Sequence, residues 1–218
     1  MDITIRRATE ADKDFLVMAI TEAEKSGSDT ISYCAMFSIT GEEFRGLVSN
    51  ILDEDMNGQE MCISNFLIAE VDGERAATLG TWIEGMDGMS SNMIKSNMLL
   101  YFLDRDKVLN AAENIRLVSE TNIHKETNTL QVEFGYTDAR FRGLGLFARL
   151  LNEHIRVNME RYDWLNKVQS RPLKSNISSI KAHEKVGFSY VSEQRCTNSD
   201  ILKILPSDTR ILMERKLK

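Results

Sequence analysis

The segment Thr129-Leu-Gln-Val-Glu-Phe-Gly-Tyr-Thr-Asp-Ala-Arg-Phe-Arg-Gly-Leu-Gly-Leu-Phe-Ala-Arg-Leu-Leu151 gathers the residues whose types and spacing suit chemistry. A strand pattern runs into a polar loop, Arg140 and Arg142 precede Gly143 and Gly145, and an amphipathic helix pattern follows at once. That order suits the capture of an anion. The glycines let backbone approach a ligand closely, the first N–H groups of a helix are unpaired, and the helix dipole favours negative charge there. The two arginines add fixed positive charge. Upstream, Glu133 is a carboxylate on the strand, with Val132 and Phe134 pointing to the opposite face. It is a candidate general base, or else an exposed or ion-paired glutamate on the polar face.

No Gly-Lys-Ser/Thr follows the glycines, which excludes a Walker phosphate loop. Gly143-Leu-Gly145-Leu-Phe-Ala148 does fit the GxGxxA of a dinucleotide fingerprint, with Asp163 twenty residues beyond Gly143. In that fold, however, the glycines end the strand directly, whereas here a polar loop of about seven residues intervenes, and Asp163 precedes the next strand instead of ending it.

Arg140-Phe-Arg-Gly143-Leu-Gly145 resembles the RxxGxG signature of the GNAT superfamily of acyl-CoA-dependent N-acyltransferases. Asn176-Ile-Ser-Ser179-Ile-Lys-Ala-His183-Glu-Lys-Val-Gly187-Phe188 is similar to that family's next segment and follows at the right distance. The resemblance is firm over residues 129–190, looser over 1–85 and absent for 86–128. It implies an α/β fold with a mixed, mostly antiparallel sheet of about seven strands and helices on both faces. It also implies acetyl-CoA as co-substrate, no metal, and an amine acceptor, either a small molecule or a peptide. The diphosphate of coenzyme A would lie on Arg140, Arg142, Gly143, Leu144, Gly145 and Leu146. The pantetheine arm would run between strands splayed near Tyr136 and Ser170, past Gly135. Asn176, Ser179 and His183 stand at i, i+3 and i+7, so one helix face can line that arm. Asn176 also reads simply as a helix cap.

Acyl transfer needs a neutral amine, a stabilised oxyanion and a proton for the thiolate. An amine of lysine type, with a pKa near ~10.4, must be deprotonated at a cost of about 4 to 5 kcal/mol at pH 7, the task given to Glu133. The family's oxyanion donor is a backbone N–H, here of Gly135 or Tyr136. His183 stands where the family commonly has a proton-donating Tyr. A charged imidazole could donate, yet His183 could equally contact the sulfur or pack as a neutral ring. Tyr136 and Tyr190 are substitute donors; His124 and Glu120 lie in the segment without resemblance. The expected activity is N-acetyl transfer; a non-catalytic acyl-CoA-binding domain and a purely structural α/β domain are the alternatives.

These residues need elements to hold them. Ile3 and Ile5 mark a strand, Thr9 with Asp12 opens a helix to about Glu24, and Thr40 with Glu43 opens another to about Leu52. Phe66–Val71, the turn Asp72-Gly73 and Ala76–Ile83 predict a β-hairpin. Residues 86–128 predict two helices broken at Asp104-Arg105-Asp106, with Met86, Met89 and Met93 as helix core, or alternatively as an adaptable lid. This insertion would cover the acceptor or form a contact between two copies. Strands follow at Thr129–Gly135, Trp164–Ser170, Phe188–Glu193 and Arg210–Lys216, and helices from near Gly143 and over Asn176–Val186, with His154 packed on an apolar face.

The 218 residues carry 27 Lys+Arg and 33 Asp+Glu, with 42% hydrophobic residues, which fits one globular unit spanning 1–218. The net charge of −6 is uneven: −11 over residues 1–85, −1 over 86–128 and +6 over 129–218. An anionic ligand therefore belongs with the C-terminal part, and an acidic acceptor side would suit a cationic amine. Nucleic-acid binding is disfavoured. With no apolar leader or span in the sequence, the expectation is a cytoplasmic protein away from membranes. Cys34, Cys62 and Cys196, few and far apart, read as small buried hydrophobes.

Overall fold

A computed structural model describes residues 1–86 and 88–218. In chain order it contains β1 (Ile3–Arg7), α1 (Lys13–Glu24), α2 (Ser32–Phe37), α3 (Gly41–Glu54), β2 (Phe66–Val71), β3 (Glu74–Ile83), α4 (Ser91–Phe102), α5 (Arg105–Asn110), α6 (Ala112–Ser119), β4 (Leu130–Thr137), α7 (Leu146–Arg161), β5 (Lys167–Ser170), α8 (Ile177–Lys185), β6 (Ser189–Arg195) and β7 (Thr209–Lys216). The strands form one open sheet in the order β1-β2-β3-β4-β5-β7-β6. The β4–β5 pair is parallel and the others are antiparallel.

Local signals account for much of this. The Thr40 hydroxyl accepts from Glu43 N–H and the Glu43 carboxylate from Thr40 N–H, a reciprocal cap that starts α3. Asp12 accepts from the N–H and hydroxyl of Thr9 before α1. It also takes bonds from Arg6 and Arg75, which outweigh its burial and hold its carboxyl well below the usual range. Asp72 and Gly73 both adopt positive φ, as the hairpin between β2 and β3 requires.

Two apolar layers sandwich the sheet. Leu16, Ile20, Phe44, Leu47 and Ile51 of α1 and α3, with Ile94 and Met98 of α4, pack on Phe66, Ile68 and Phe134. On the other face Leu146, Leu150, Leu151 and Ile155 of α7 cover Leu79, Leu130, Val132 and Val168. A third cluster joins Leu117 of α6 to Leu173, Cys196 and Ile201, so the insertion crosses from α3 to the C-terminal strands.

Four expectations need correction. Residues 86–128 hold three helices: Asp104 does mark the break, capping α5 through Asp106 N–H, but α5 and α6 are separate. Met86, Met89 and Met93 are 40%, 46% and 55% exposed and are not helix core; α4 buries Ser91, Ile94 and Met98, and Met93 falls one residue off that stripe. The helix after the glycines begins at Leu146, and Trp164 lies outside β5. Helix α2 is too short to have shown a period. No helix among the described residues is long and apolar enough to cross a membrane.

Candidate active site

β4 and β5 pair only over Leu130–Val132 and Val168–Ser170. β5 then ends while β4 runs on to Thr137, so the sheet opens beside its own central strand. On the other side of β4, Gly80 opposes Glu133 and Thr78 opposes Tyr136, leaving one extra residue on β4. That bulge places Phe134 at φ 52°, a left-handed conformation uncommon for an aromatic residue. Gly135 is consequently exposed in a central strand. A Cβ there would stand 3.2 Å from Leu79 and 3.4 Å from Phe147.

After β4, Asp138 accepts from Arg140 N–H and turns the chain toward α7. Gly143 and Gly145 take φ of 87° and 70°, and a Cβ on either would meet nothing within 4 Å. Glycine is thus required by conformation, and the space in front is open. No side chain caps α7 and no acidic residue occupies its first turn. Its first bond runs from Arg149 N–H to Gly145 O at 3.1 Å, which leaves the N–H groups of Leu146, Phe147 and Ala148 without helical acceptors. Arg142 is exposed and has no hydrogen-bond partner for its guanidinium among the described residues. Arg140 is tied to Glu74 at 2.8 Å and Asp138 at 3.2 Å, so it braces the loop. A hollow of about 460 Å³ between Phe15, Arg75 and Arg140 borders this loop. Another of about 500 Å³, lined by Trp164, Lys167 and Lys216, opens at the far end of β5 away from every predicted site residue.

Across the opening, α8 starts at Asn176, whose side-chain oxygen accepts from Ser179 N–H and the Ser178 hydroxyl. His183 is buried between Phe147 and Phe188, with ring centroids 5.0 and 4.9 Å away. Its Nδ1 lies 2.8 Å from Ser179 O, an acceptor, so Nδ1 carries the proton. Burial pushes its pKa down against that bond, leaving a neutral ring whose Nε2 is buried with no partner. This His183 can accept a proton or hydrogen bond and has none to give. Tyr136 keeps its proton more firmly than usual, through burial and the nearby charge of Asp138. Tyr190 is exposed on edge strand β6; Glu120 is bound to Arg116, and the carbonyl of His124 accepts from Arg171.

Glu133 is half-buried on the α1 side of the sheet, in a charged chamber that no sequence signal outlined. Val132 lies opposite it toward α7, but the bulge turns Phe134 to the α1 side with Phe66 and Ile68, which corrects the expected alternation. Glu24 ends α1 there. Water still reaches it, yet burial first and the Glu133 charge second push its carboxyl up to about 7. Glu60 is 2% exposed; burial alone would raise its pKa, but the charges of Lys95 and Lys125 hold it low. Lys95 forms an ion pair with it, and Lys125 lies 4.0 Å off while resting over Trp82. Arg171 follows β5 and is bound to Gln131 and Gln169, and Arg210 of β7 donates to Arg171 O at 3.0 Å. Each reads in sequence as an ordinary solvated charge, because residues so distant in the chain give no joint pattern. The chamber mixes both signs.

No family model and no curated protein sequence matches the chain. Solved structures do. An N-acetyltransferase from Staphylococcus aureus Mu50 superposes with a TM-score of 0.61 at 14% identity over 97% of this chain and 99% of that one. A GNAT-family acetyltransferase from Streptococcus pneumoniae matches at 0.53 and 16% identity over the whole of both chains. A ribosomal-protein-alanine N-acetyltransferase from Brucella melitensis matches at 0.53 and 17% identity, over 98% of this chain and 99% of its own. With its bulged β4, its parted β4 and β5 and its mostly antiparallel seven-stranded sheet, the chain has the fold of the GNAT acetyltransferases.

Proposed function

We propose that the protein transfers an acetyl group from acetyl-CoA to a primary amine by direct attack, with Glu133 as general base. The observation that supports this most is the opening beside Gly135, where a bulged central strand loses its neighbour next to Glu133 and the uncapped start of α7 lies beyond. Acetyl-CoA fits that frame. Arg142 and the N–H groups of Gly143, Leu144, Gly145 and Leu146 suit the diphosphate, with Arg140 bracing the loop. The exposed backbone of Gly135 and Tyr136, and Asn176, Ser179 and His183 opposite, suit the pantetheine arm. When bound, acetyl-CoA supplies a thioester carbonyl activated for attack.

Glu133 takes a proton from the incoming amine, and Glu24 beside it, with a carboxyl near 7, is poised to pass a proton to solvent. A backbone N–H at Gly135 or Tyr136, beside the bulge, holds the developing oxyanion. Tyr136, kept protonated, is the donor for the thiolate, and His183 positions the thiol through its bare Nε2. On this reading residues 1–218 form one cytoplasmic N-acetyltransferase unit, and the insertion at 86–128 covers the acceptor side.

Two measurements test it. Acetyl-CoA should raise the Tm, and adding an amine panel should release free thiol. Gly145→Trp, which fills the open space, and Arg142→Glu should both abolish the Tm rise. Normal stabilisation of both variants would remove acetyl-CoA from this loop. Stabilisation of the wild type without thiol release from any amine would make the protein a binding module instead of an enzyme.

A further inference from the structure

The chamber around Glu133 holds opposite charges that influence one another without touching. Glu24 feels Glu133, Lys95 and Arg210, and Arg171 feels Glu133, Glu84 and Arg210, yet among the described residues no ion pair joins Glu24 or Glu133 to either guanidinium. Glu60 has already claimed Lys95 and Lys125. Among the described residues neither the Glu24 nor the Glu133 carboxylate has a hydrogen bond or ion pair, and the Glu133 charge adds to burial in pushing the Glu24 carboxyl up. Nε of Arg171 and Nε of Arg210, which lie near them, are both buried without an acceptor among the described residues. A guanidinium N–H left unbonded in the interior is costly, and its natural complement is a carboxylate, which can take two such donors.

We propose that the acceptor is a small amino-carboxylate, with its ammonium between Glu24 and Glu133 and its carboxylate on Arg171 and Arg210. This rests on the acetyl-transfer reading and names its substrate class. The chemistry balances. The nitrogen loses two protons and forms a bond to the acetyl carbon, the carbon–sulfur bond breaks with its electron pair on sulfur, one proton ends on sulfur, and one reaches solvent through Glu133 and Glu24. The same placement explains why the insertion supplies Lys95 and Lys125: they neutralise Glu60, whose buried charge would otherwise compete for the ammonium.

The test compares amino acids, with the amine on the α or the terminal carbon, against their carboxamides, which differ at the carboxylate alone. Thiol release should favour at least one amino acid over its carboxamide by about tenfold or more in kcat/KM. Arg210→Gln should bring that ratio close to one, and Arg210→Lys should retain most of it. Equal or faster turnover of every carboxamide, or a ratio untouched by Arg210→Gln, would overturn the proposal while leaving acetyl transfer intact. Should Arg210→Gln fail to fold, the wild-type ratio and Arg210→Lys still decide. Calorimetry with acetyl-CoA alone separates the two ideas. Binding of acetyl-CoA with no thiol release from any amino acid defeats the amino-carboxylate proposal, and absence of binding defeats the acetyl-transfer reading beneath it.

Discussion

The two faces of the sheet at β3 and β4 are built from different materials. Toward α7, Leu79, Leu130 and Val132 meet Leu150, Leu151 and Ile155, and the titratable group among them, His154, has both ring nitrogens bonded. Nε2 lies 2.8 Å from Leu79 O and Nδ1 the same distance from the Thr81 hydroxyl. Toward α1 and α4 the sheet faces Glu24, Glu60, Glu133, Lys95, Arg171 and Arg210, with Nε of both arginines and Oε2 of Glu60 buried and unpartnered. Leaving a buried polar atom unpaired costs about 1 to 3 kcal/mol. At β3 and β4 the rear face leaves no buried polar side-chain atom unpaired among the described residues, whereas the front face leaves three.

Three perturbations probe that contrast. Lys95→Met leaves the buried Glu60 charge only Lys125, 4.0 Å away, to offset it, and should destabilise the protein by up to about 3 to 5 kcal/mol in denaturant unfolding. A loss below about 1 kcal/mol would mean that Glu60 is hydrated and the front face is not closed. Glu133→Gln should lower kcat by about ten- to a thousandfold, or about 1.4 to 4 kcal/mol of barrier, with little change in Tm because its carboxylate has no hydrogen bond or ion pair among the described residues. Undiminished turnover would take Glu133 out of the mechanism.

The smallest effect belongs to the rear face. Burial pushes the His154 pKa down to about 4, whereas the unfolded chain titrates near ~6.5. The unfolded state therefore binds the proton first, so stability is full above about pH 6.5 and falls as the pH drops toward 4. Going from pH 7 to 4.5 should cost about 2 to 3 kcal/mol, a slope that His154→Gln should flatten. An acid slope unchanged in His154→Gln would place the proton uptake elsewhere.

What could be read in advance follows from how local the physics is. The Thr40–Glu43 cap, the Asp72-Gly73 turn and the glycines before α7 each act within a few residues, so their residue types announce them. His154 was legible as a packed ring because its neighbours on the helix face are apolar. The methionines misled because three apolar residues at helical spacing do not say which stripe is buried; Ile94 and Met98 form it. Glu133 stood out as a carboxylate among strand-forming residues. Its companions did not, because Glu24, Glu60, Lys95, Arg171 and Arg210 meet only when α1, the insertion and the last strands close on one face. The role of His183 also waited on geometry, since a proton on Nδ1 is decided by the carbonyl of Ser179.

The uneven charge of the chain bears on the order in which it is made. A ribosome releases the first 85 residues carrying −11, including Glu43, Glu60 and Glu74, before any of Lys107, Lys95 and Arg140, to which they become paired. β1, β2 and β3 can already pair in that fragment, yet Glu60 has no counter-charge and must stay in water. The first segment thus carries its own brake on burial, and the front face closes only once the insertion has emerged to neutralise it.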